Sequence, residues 1–418
     1  MKAHSSQLIA QNETTISSIR LPAISYQLSA LWRSAKKTKG STGAAEDIRN
    51  QSLRVIIAGG GTGGHLFPGI AIAQEFRHRN PATSIVFVST GNPLEKTVLA
   101  KAGFELACIT AAGIKGRGIW NQIKSMVKIP IGILESRRII KKFDPDLAIG
   151  LGSYSAGPVI IGAWLQRIPT VVHEQNILPG ITNRILSRFA KRIYTSFEQS
   201  ASRLNPAKVR WTGNPVRHEL LADADGRRIG REDPASRDLF TILIIGGSQG
   251  AHRVNMAIIE ALDHLKDKEN LYFIHQTGEA DAPTVGEAYR LSGVRCLVQP
   301  FFDNMADLYR QADLLICRAG ATTIAEITAL GKAVIFIPFP YAADNHQVFN
   351  AGSLADEGAA EMIIEKDLDD KILSEKIAYY ASHPAALSEM AAKARQFGKP
   401  DAAKYIVDDC YELISGAT

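Results

Sequence analysis

Short runs of branched apolar residues recur from residue 54 onward, bounded by glycine or polar residues and separated by helix-length segments. One series predicts strands at 54–58, 84–89, 146–150, 170–173 and 192–194. A second predicts strands at 240–245, 272–276, 296–299, 314–317 and 333–337. The runs are nearly continuous in Val, Ile and Leu rather than alternating, as strands buried on both faces require. Their alternation with helical segments implies an α/β fold of parallel sheets covered by helices on both faces. Between the two series, residues 221–238 become charged and polar and contain Gly226, Gly230 and Pro234, which marks a linker. A chain of 418 residues exceeds the usual size of one core. The expected organisation is therefore two doubly wound domains, 54–220 and 239–418, with the last helix a candidate to pack back on the first.

Residues 1–53 show no sustained periodicity and are rich in Ser and Thr. Three readings compete: a cleaved targeting peptide, a dispensable disordered extension, or a start site assigned too early. The third is favoured, because Leu53-Arg54-Val55 begins a strand abruptly and no Met lies between 1 and 126.

Two of the strands drop straight into glycine-rich turns, Gly59-Gly60-Gly61-Thr62-Gly63-Gly64-His65 and Gly246-Gly247-Ser248-Gln249-Gly250. Glycine admits φ > 0 and lacks the Cβ that would block a close approach. A helix start beyond it offers unpaired N–H groups to an anion. Two such turns, one per half, suggest two nucleotide-type domains facing one cleft. Gly59-x-Gly61-x-x-Gly64 matches the dinucleotide fingerprint, but the second strand ends Ser89-Thr90-Gly91 with no acid until Glu95, and no Gly-Lys-Ser/Thr follows. The turn is read as meeting phosphate or sugar without being either motif; the plainer alternative is a tight strand-to-helix turn.

His65 sits where that turn becomes a helix, and Pro68 suits an early helical position. A helix N-terminus favours neutral imidazole, which accepts a proton, so His65 is either a general base or the partner of a backbone carbonyl. His173-Glu174-Gln175-Asn176 follows a buried strand, at the end where α/β sheets hold ligands. Ala321, Thr322 and Thr323 open a helix after Cys317-Arg318-Ala319-Gly320, with N–H groups suited to a diphosphate and Glu326 one turn on for ribose hydroxyls. Thr323-x-x-Glu326 and Asp344-x-x-Gln347 also read as capping boxes, although Gln347 is placed to bind a sugar hydroxyl.

The net charge of +6 is unevenly spread. Residues 1–50 carry +4 and residues 113–142 carry +7, so the remainder is about −5. The excess is a local patch, and nucleic acid is not an expected partner. Within the patch, Ile119, Trp120, Ile123, Met126 and Val127 form one helical stripe flanked by Lys124 and Lys128. Such a stripe either packs into the core or enters an anionic membrane surface shallowly. No apolar stretch approaches the roughly 18–20 residues of a spanning helix. Cys108, Cys296, Cys317 and Cys410 are scattered without ligand spacing, so neither disulfides nor a zinc site is expected, and a reducing cytosol is. No cofactor and no obligatory metal are expected.

Six segments in order, 59–65 (GGGTGGH), 150–157 (GLGSYSAG), 173–176 (HEQN), 213–217 (GNPVR), 246–255 (GGSQGAHRVN) and 317–326 (CRAGATTIAE), closely resemble the MurG family. This family consists of UDP-N-acetylglucosamine:muramyl-pentapeptide pyrophosphoryl-undecaprenol N-acetylglucosaminyltransferases of peptidoglycan synthesis. The resemblance covers about residues 54–415 and implies a GT-B fold, two Rossmann-like domains with the active site between them. It implies UDP-N-acetylglucosamine as donor, lipid I on the cytoplasmic leaflet as acceptor, and a peripheral place on the bacterial inner membrane. Cell-wall synthesis and division proteins are candidate partners. By resemblance, the backbone of Phe302 reads uracil, and Ala321, Thr322, Thr323 and Glu326 hold diphosphate and ribose. Ser248 and Arg217 make further nucleotide contacts, Asn176 and Gln347 touch sugar, and Thr62, Gly63 and Gly64 close on the donor. The rivals are a UDP-sugar 2-epimerase, a galactolipid-type transferase and a non-catalytic nucleotide-sugar-binding subunit. The epimerase needs no lipid acceptor and leaves the 114–128 segment without a task.

Overall fold

The computed structural model describes residues 51–111, 119–222, 239–247 and 249–416, and only the backbone for 119–128 and Asp370. Residues 1–50, most of the expected linker (223–238) and Ser248 lie outside the described residues, as do the side chains of Ile119, Trp120, Ile123, Lys124 and Lys128.

The first half holds strands β1 (Arg54–Ala58), β2 (Ser84–Ser89), β3 (Glu105–Cys108), β4 (Leu147–Gly150), β5 (Thr170–Glu174), β6 (Arg192–Thr195) and β7 (Val209–Trp211). Its helices are α1 (Gly63–Arg79), α2 (Pro93–Lys101), α3 (Ile119–Phe143), α4 (Ser153–Leu165), α5 (Ile181–Leu186) and α6 (His218–Leu221). The second half holds β8 (Phe240–Ile245), β9 (Leu271–Gln276), β10 (Arg295–Gln299), β11 (Leu314–Cys317), β12 (Ala333–Phe336) and β13 (Glu361–Met362). Between and after these run α7 (His252–Ala261), α8 (Ala282–Ser292), α9 (Met305–Gln311), α10 (Ala321–Leu330), α11 (His346–Ala355), α12 (Asp370–Ser382), α13 (Pro384–Phe397) and α14 (Ala402–Ile414).

Both sheets are wholly parallel, in the orders β3-β2-β1-β4-β5-β6-β7 and β10-β9-β8-β11-β12-β13. In each, the order reverses beside the strand that opens the half, β1 or β8. The crevice at that reversal, at the carboxyl ends of the strands, is where such sheets bind ligands. Both glycine-rich turns open onto it.

The central strands are apolar because helices cover both their faces: Val55, Ile56, Ile57 and Ala58 are all fully buried. The edge strands β3, β7 and β13 were not expected from the sequence. Glu105-Leu106-Ala107-Cys108 is half-exposed and carries no apolar run, and β13 is a two-residue pairing with β12. Pro68 is not in the first turn. It sits inside α1, which starts at Gly63.

The chain's last helix contributes to the core of the first half. Ile406, Val407, Cys410 and Tyr411 of α14 pack with Val55, Ile57 and Phe76. Arg79 bonds Asp408 at 2.7 Å, and the Tyr194 hydroxyl donates to Asp409 at 2.8 Å. These contacts tie the chain's end to the first sheet. Truncating a buried isoleucine leaves a cavity and costs roughly 2–5 kcal/mol. Ile406→Ala should lower the unfolding free energy by that order, read as a lower urea midpoint, and speed amide exchange in β1 and α1; an unchanged midpoint would mean α14 adds nothing to the first half.

Candidate active site

The turn after β1 is held from beneath by a carboxylate. Asn92 and Glu95 form a capping box at the start of α2, and Glu95 is fully buried. Its Oε1 accepts from the Gly61 N–H at 2.6 Å and the Ser89 hydroxyl at 2.7 Å; its Oε2 accepts from the Gly91 and Asn92 N–H groups. The Gly60 N–H donates to Ser153 Oγ at 3.4 Å. A Cβ on Gly60 would lie 2.1 Å from Glu95 Oε1, so glycine is required there by packing. The amides of Gly60 and Gly61 are thus spent on the scaffold. What remains for a ligand is the first turn of α1, at Thr62, Gly63 and Gly64, where N–H groups have no carbonyl four residues earlier in the helix.

His65 is in that first turn and is partly buried. Its Nδ1 lies 3.0 Å from Gln175 Oε1. Burial holds its pKa below the usual imidazole value, outweighing the Gln175 bond and the Leu151 carbonyl, which raise it. His346, at the start of α11 in the other half, lowers it further.

The HEQN segment divides its labour by the two-residue period of a strand. His173 and Gln175 point the same way, into the protein: Gln175 Nε2 lies 3.1 Å from His173 Nδ1 and donates to the Leu151 carbonyl at 2.9 Å. His173 Nε2 sits 3.3 Å from the Gly213 carbonyl, and burial pushes this ring's pKa down to about 4. Glu174 staples the following turn, accepting from the N–H groups of Asn176 and Gly180 and from Asn183 Nδ2. Burial raises its pKa against those bonds. Asn176 reaches the cleft, where its Oδ1 accepts from Asn350 Nδ2 at 3.1 Å.

Across the cleft, α10 starts after Gly320. Thr323 is therefore in its first turn rather than at the cap, and Thr323-x-x-Glu326 forms no capping box. Glu326 instead accepts from Arg217 at 3.2 Å and from the Tyr309 hydroxyl at 2.9 Å. The Arg217 guanidinium also lies 4.4 Å above the Phe67 ring, so one cation joins residues of both halves. The Thr322 hydroxyl donates to the Gly64 carbonyl at 3.1 Å. Asp344-x-x-Gln347 forms no capping box either. Asp344 and Asn345 both take positive φ, α11 starts at His346, and Gln347 Oε1 accepts from the Phe339 N–H at 2.9 Å. The Phe302 N–H donates to Gln276 Oε1 at 3.1 Å, so an amide already fills that position.

The structure thus gathers Thr62, Gly63, Gly64, His65, Asn176, Arg217, Ala321, Thr322, Thr323 and Glu326 along one cleft. Gln347 and Phe302 lie on the second half's side of it. Three residues that hold the site were not singled out from the sequence, Glu95, Tyr309 and Asn350, and Gln175 was named only as part of the HEQN segment. Asn92-x-x-Glu95 was readable as a capping box, and Gln175 as the partner of His173 one period on. Nothing local marks Tyr309 or Asn350.

The glycosyltransferase family 28 N-terminal domain matches residues 55–195, and the C-terminal domain of the same family matches residues 241–406. The chain is 45% identical over 358 residues to a UDP-N-acetylglucosamine--N-acetylmuramyl-(pentapeptide) pyrophosphoryl-undecaprenol N-acetylglucosamine transferase of Geotalea uraniireducens, covering 85% of this chain and 97% of that one. It is 46% identical to the protein of the same description from Syntrophus aciditrophicus, covering 87% and 99%. Among solved structures it resembles MurG of Acinetobacter baumannii, with a TM-score of 0.67 and 31% identity over 87% of this chain and 99% of that chain. UDP-GlcNAc 2-epimerase of Neisseria meningitidis, at 16% identity and a TM-score of 0.62 over 87% and 100%, shares the fold.

His173 has a counterpart in the second half. His275 is buried between Asn255 and Tyr289, with a pKa pushed down to about 3 by burial. Both imidazoles are neutral when folded and titrate near 6.5 when unfolded. As pH falls, the unfolded chain takes up protons first. The stabilisation is complete above about pH 6.5 and is lost progressively toward pH 4, at up to about 1.4 kcal/mol per pH unit per histidine. Urea unfolding between pH 7 and 4 should show this slope, and His275→Asn should reduce it; an equal slope in the variant would remove His275 from the cause.

Proposed function

The chain belongs to glycosyltransferase family 28 and, within it, to the MurG transferases, and on that premise we propose how its cleft performs the reaction. The reaction moves N-acetylglucosamine from UDP-N-acetylglucosamine to the C4 hydroxyl of undecaprenyl-pyrophosphoryl-N-acetylmuramyl-pentapeptide, converting lipid I to lipid II. The hydroxyl attacks the anomeric carbon from the face opposite UDP, with inversion to a β-1,4 bond. His65 Nε2 takes the hydroxyl proton as the bond forms. The N-terminal turn of α10, at Ala321, Thr322 and Thr323, faces the leaving diphosphate with unpaired N–H groups, and Arg217 adds positive charge. Ser248 and the Phe302 backbone complete the nucleotide side, while Asn176 and Gln347 bind sugar hydroxyls. Uracil displaces the Gln276 amide from the Phe302 N–H.

The observation that carries this reading is the placement of a neutral imidazole in the first turn of α1, next to the α10 N-terminus through the Thr322–Gly64 bond. A correctly placed base contributes ~10²–10⁴ in rate. UDP release from UDP-N-acetylglucosamine should require a short-chain lipid-linked muramyl-pentapeptide. His65→Ala should lower kcat by that factor with little change in KM for the donor. Because the base works deprotonated and its pKa is depressed, activity should fall on the acid side only below about pH 6.5. Near-full turnover by His65→Ala would make the histidine structural, and acceptor-independent conversion of the donor to its 2-epimer would make the protein an isomerase.

The acceptor is lipid-linked, and the first half carries a surface suited to a membrane. Among the described residues no helix is long and apolar enough to cross one. Leu134 on α3, Trp164 and Leu165 on α4, and Ile181 and Ile185 on α5 are all large, apolar and about half exposed. Arg137, Arg138, Lys141 and Lys142 of α3 are exposed beside them. This arrangement supports peripheral attachment to the anionic inner-membrane surface, with Ile119, Trp120, Ile123, Lys124 and Lys128 entering or rimming the interface. Trp120→Ala combined with Ile123→Ala should weaken binding to anionic vesicles, and raised salt should weaken the remainder. Unchanged vesicle binding in the double variant would place the contact elsewhere.

A further inference from the structure

We infer that Gln175 is a positioning residue that sets the tautomer of His65, leaving the lone pair on Nε2, and that it is itself oriented by the His173–Gly213 hydrogen bond. The inference rests on the proposed role of His65 as base and adds what makes that role possible.

The Gly213 carbonyl can only accept a hydrogen bond. His173 Nε2, 3.3 Å away, must therefore carry the hydrogen. His173 is completely buried and neutral at ordinary pH, so its Nδ1 is a bare acceptor. The Gln175 amide presents one atom to that Nδ1 at 3.1 Å and to the Leu151 carbonyl at 2.9 Å. Both neighbours are acceptors, so this atom is the NH2 nitrogen. An oxygen there would face two lone pairs. The amide cannot flip, and Oε1 is left pointing at His65 Nδ1, 3.0 Å away. An oxygen acceptor requires a donor, so His65 carries its hydrogen on Nδ1. In neutral imidazole the other nitrogen then holds the lone pair.

Sequence spacing makes the relay possible. Residues 173 and 175 share one face as β5 ends, and Gln175 is 2% exposed, so its amide has no water with which to exchange partners. Gly152, at φ 85°, passes behind the ring; a Cβ there would come within 3.3 Å of His65 Cε1 and 3.1 Å of Asn183 Nδ2. The titratable groups facing His65 are His173 from β5, which is neutral, and His346 from α11. Burial first, and then His346, disfavour protonation of His65, so the neutral form that Gln175 selects between tautomers is the one present.

The test is the ¹⁵N spectrum of the full chain labelled in histidine, with His65 assigned by its loss in His65→Gln. The expected result at neutral pH is a protonated Nδ1 and a bare Nε2 for His65, and the opposite tautomer for His173. A bare Nδ1 on His65 in the unsubstituted protein overturns the inference whether or not any variant folds. In Gln175→Leu the His65 signals should move toward the mixed tautomers of free imidazole. The kcat should drop by part of the ~10²–10⁴ that a base contributes, with KM for UDP-N-acetylglucosamine nearly constant. In Gln175→Glu a carboxylate would stabilise the imidazolium, and the acid limb of the kcat/KM profile should move to higher pH. An unchanged tautomer in Gln175→Leu overturns the positioning role. Failure of the transferase reading shows itself separately, as absence of acceptor-dependent UDP release alongside the expected tautomer.

Discussion

Proline lacks an N–H, and at position 68 that omission reaches across the cleft. In an unbroken helix the N–H of residue 68 bonds the carbonyl of residue 64. In α1 the Gly64 carbonyl is instead taken by the Thr322 hydroxyl from the first turn of α10. A local defect in one half becomes an acceptor for the other half. The bond joins the two helix N-termini that flank the proposed reaction centre, one carrying His65 and one carrying the turn proposed to face the diphosphate. Around it lie Arg217 between Glu326 and Phe67, and Asn350 between Asn176 and the Ile177 N–H. Two positive dipole ends brought together have an unfavourable interaction unless an anion or an aligned carbonyl sits between them. The Gly64 carbonyl offers part of that compensation, and a bound diphosphate would supply the rest.

The cleft is lined by polar groups that are nearly all spoken for, and this divides scaffold from chemistry. Glu95 makes bonds to three backbone amides and one hydroxyl and is buried; it shapes the turn and is not available to a substrate. Glu174 is used in the same way one strand away. His173 is spent on Gly213 and Gln175. The imidazole nitrogen left over by this accounting is Nε2 of His65, at the helix start that faces the second half. Buried polar networks in low dielectric are worth most when every member is satisfied. Here satisfaction is not complete, since Asn183 Oδ1, Asn214 Oδ1 and Arg217 Nε have no partner, but among the nitrogens of His65 and His173 it is Nε2 of His65 that is left unspent.

Most strands were legible because buried parallel strands must be apolar along their whole length, and the glycine turns because backbone there has to pass close to other groups. Edge strands failed the same criterion for the opposite reason: Glu105–Cys108 is half in solvent and needs no apolar run. Both sequence capping boxes in the second half were wrong, since a cap depends on where a helix starts and the sequence left that open by a few residues. Thr323 proved to lie inside the first turn, which freed Glu326 for Arg217 and Tyr309. Of the site residues that escaped notice, Tyr309 acts on Glu326 inside α10, 17 residues on, and Asn350 acts on Ile177 and Asn176, 173 and 174 residues away; no local pattern encodes such pairing. Gln175 was half visible. Its neighbours named the segment, but only the orientation of its amide tells what it does.

Sheets of this order are shared with sugar-nucleotide epimerases at 16% identity, so the fold alone does not choose between moving a sugar and inverting one of its carbons. The choice lies in what surrounds the donor. An epimerase handles a single substrate and gains nothing from exposed Trp164, Leu165, Ile181 and Ile185 beside a row of cations on α3. A transferase to a lipid-borne hydroxyl gains from such a face, because its acceptor is anchored in a lipid surface. In this chain the exposed apolar face, His65 and the α1 turn belong to the first half, while the α10 turn proposed to face the diphosphate belongs to the second. On the proposed reading, that separation lets the nucleophile enter from the first half while the leaving group stays with the second; inversion then depends on the hydroxyl meeting the anomeric carbon on the face opposite the diphosphate.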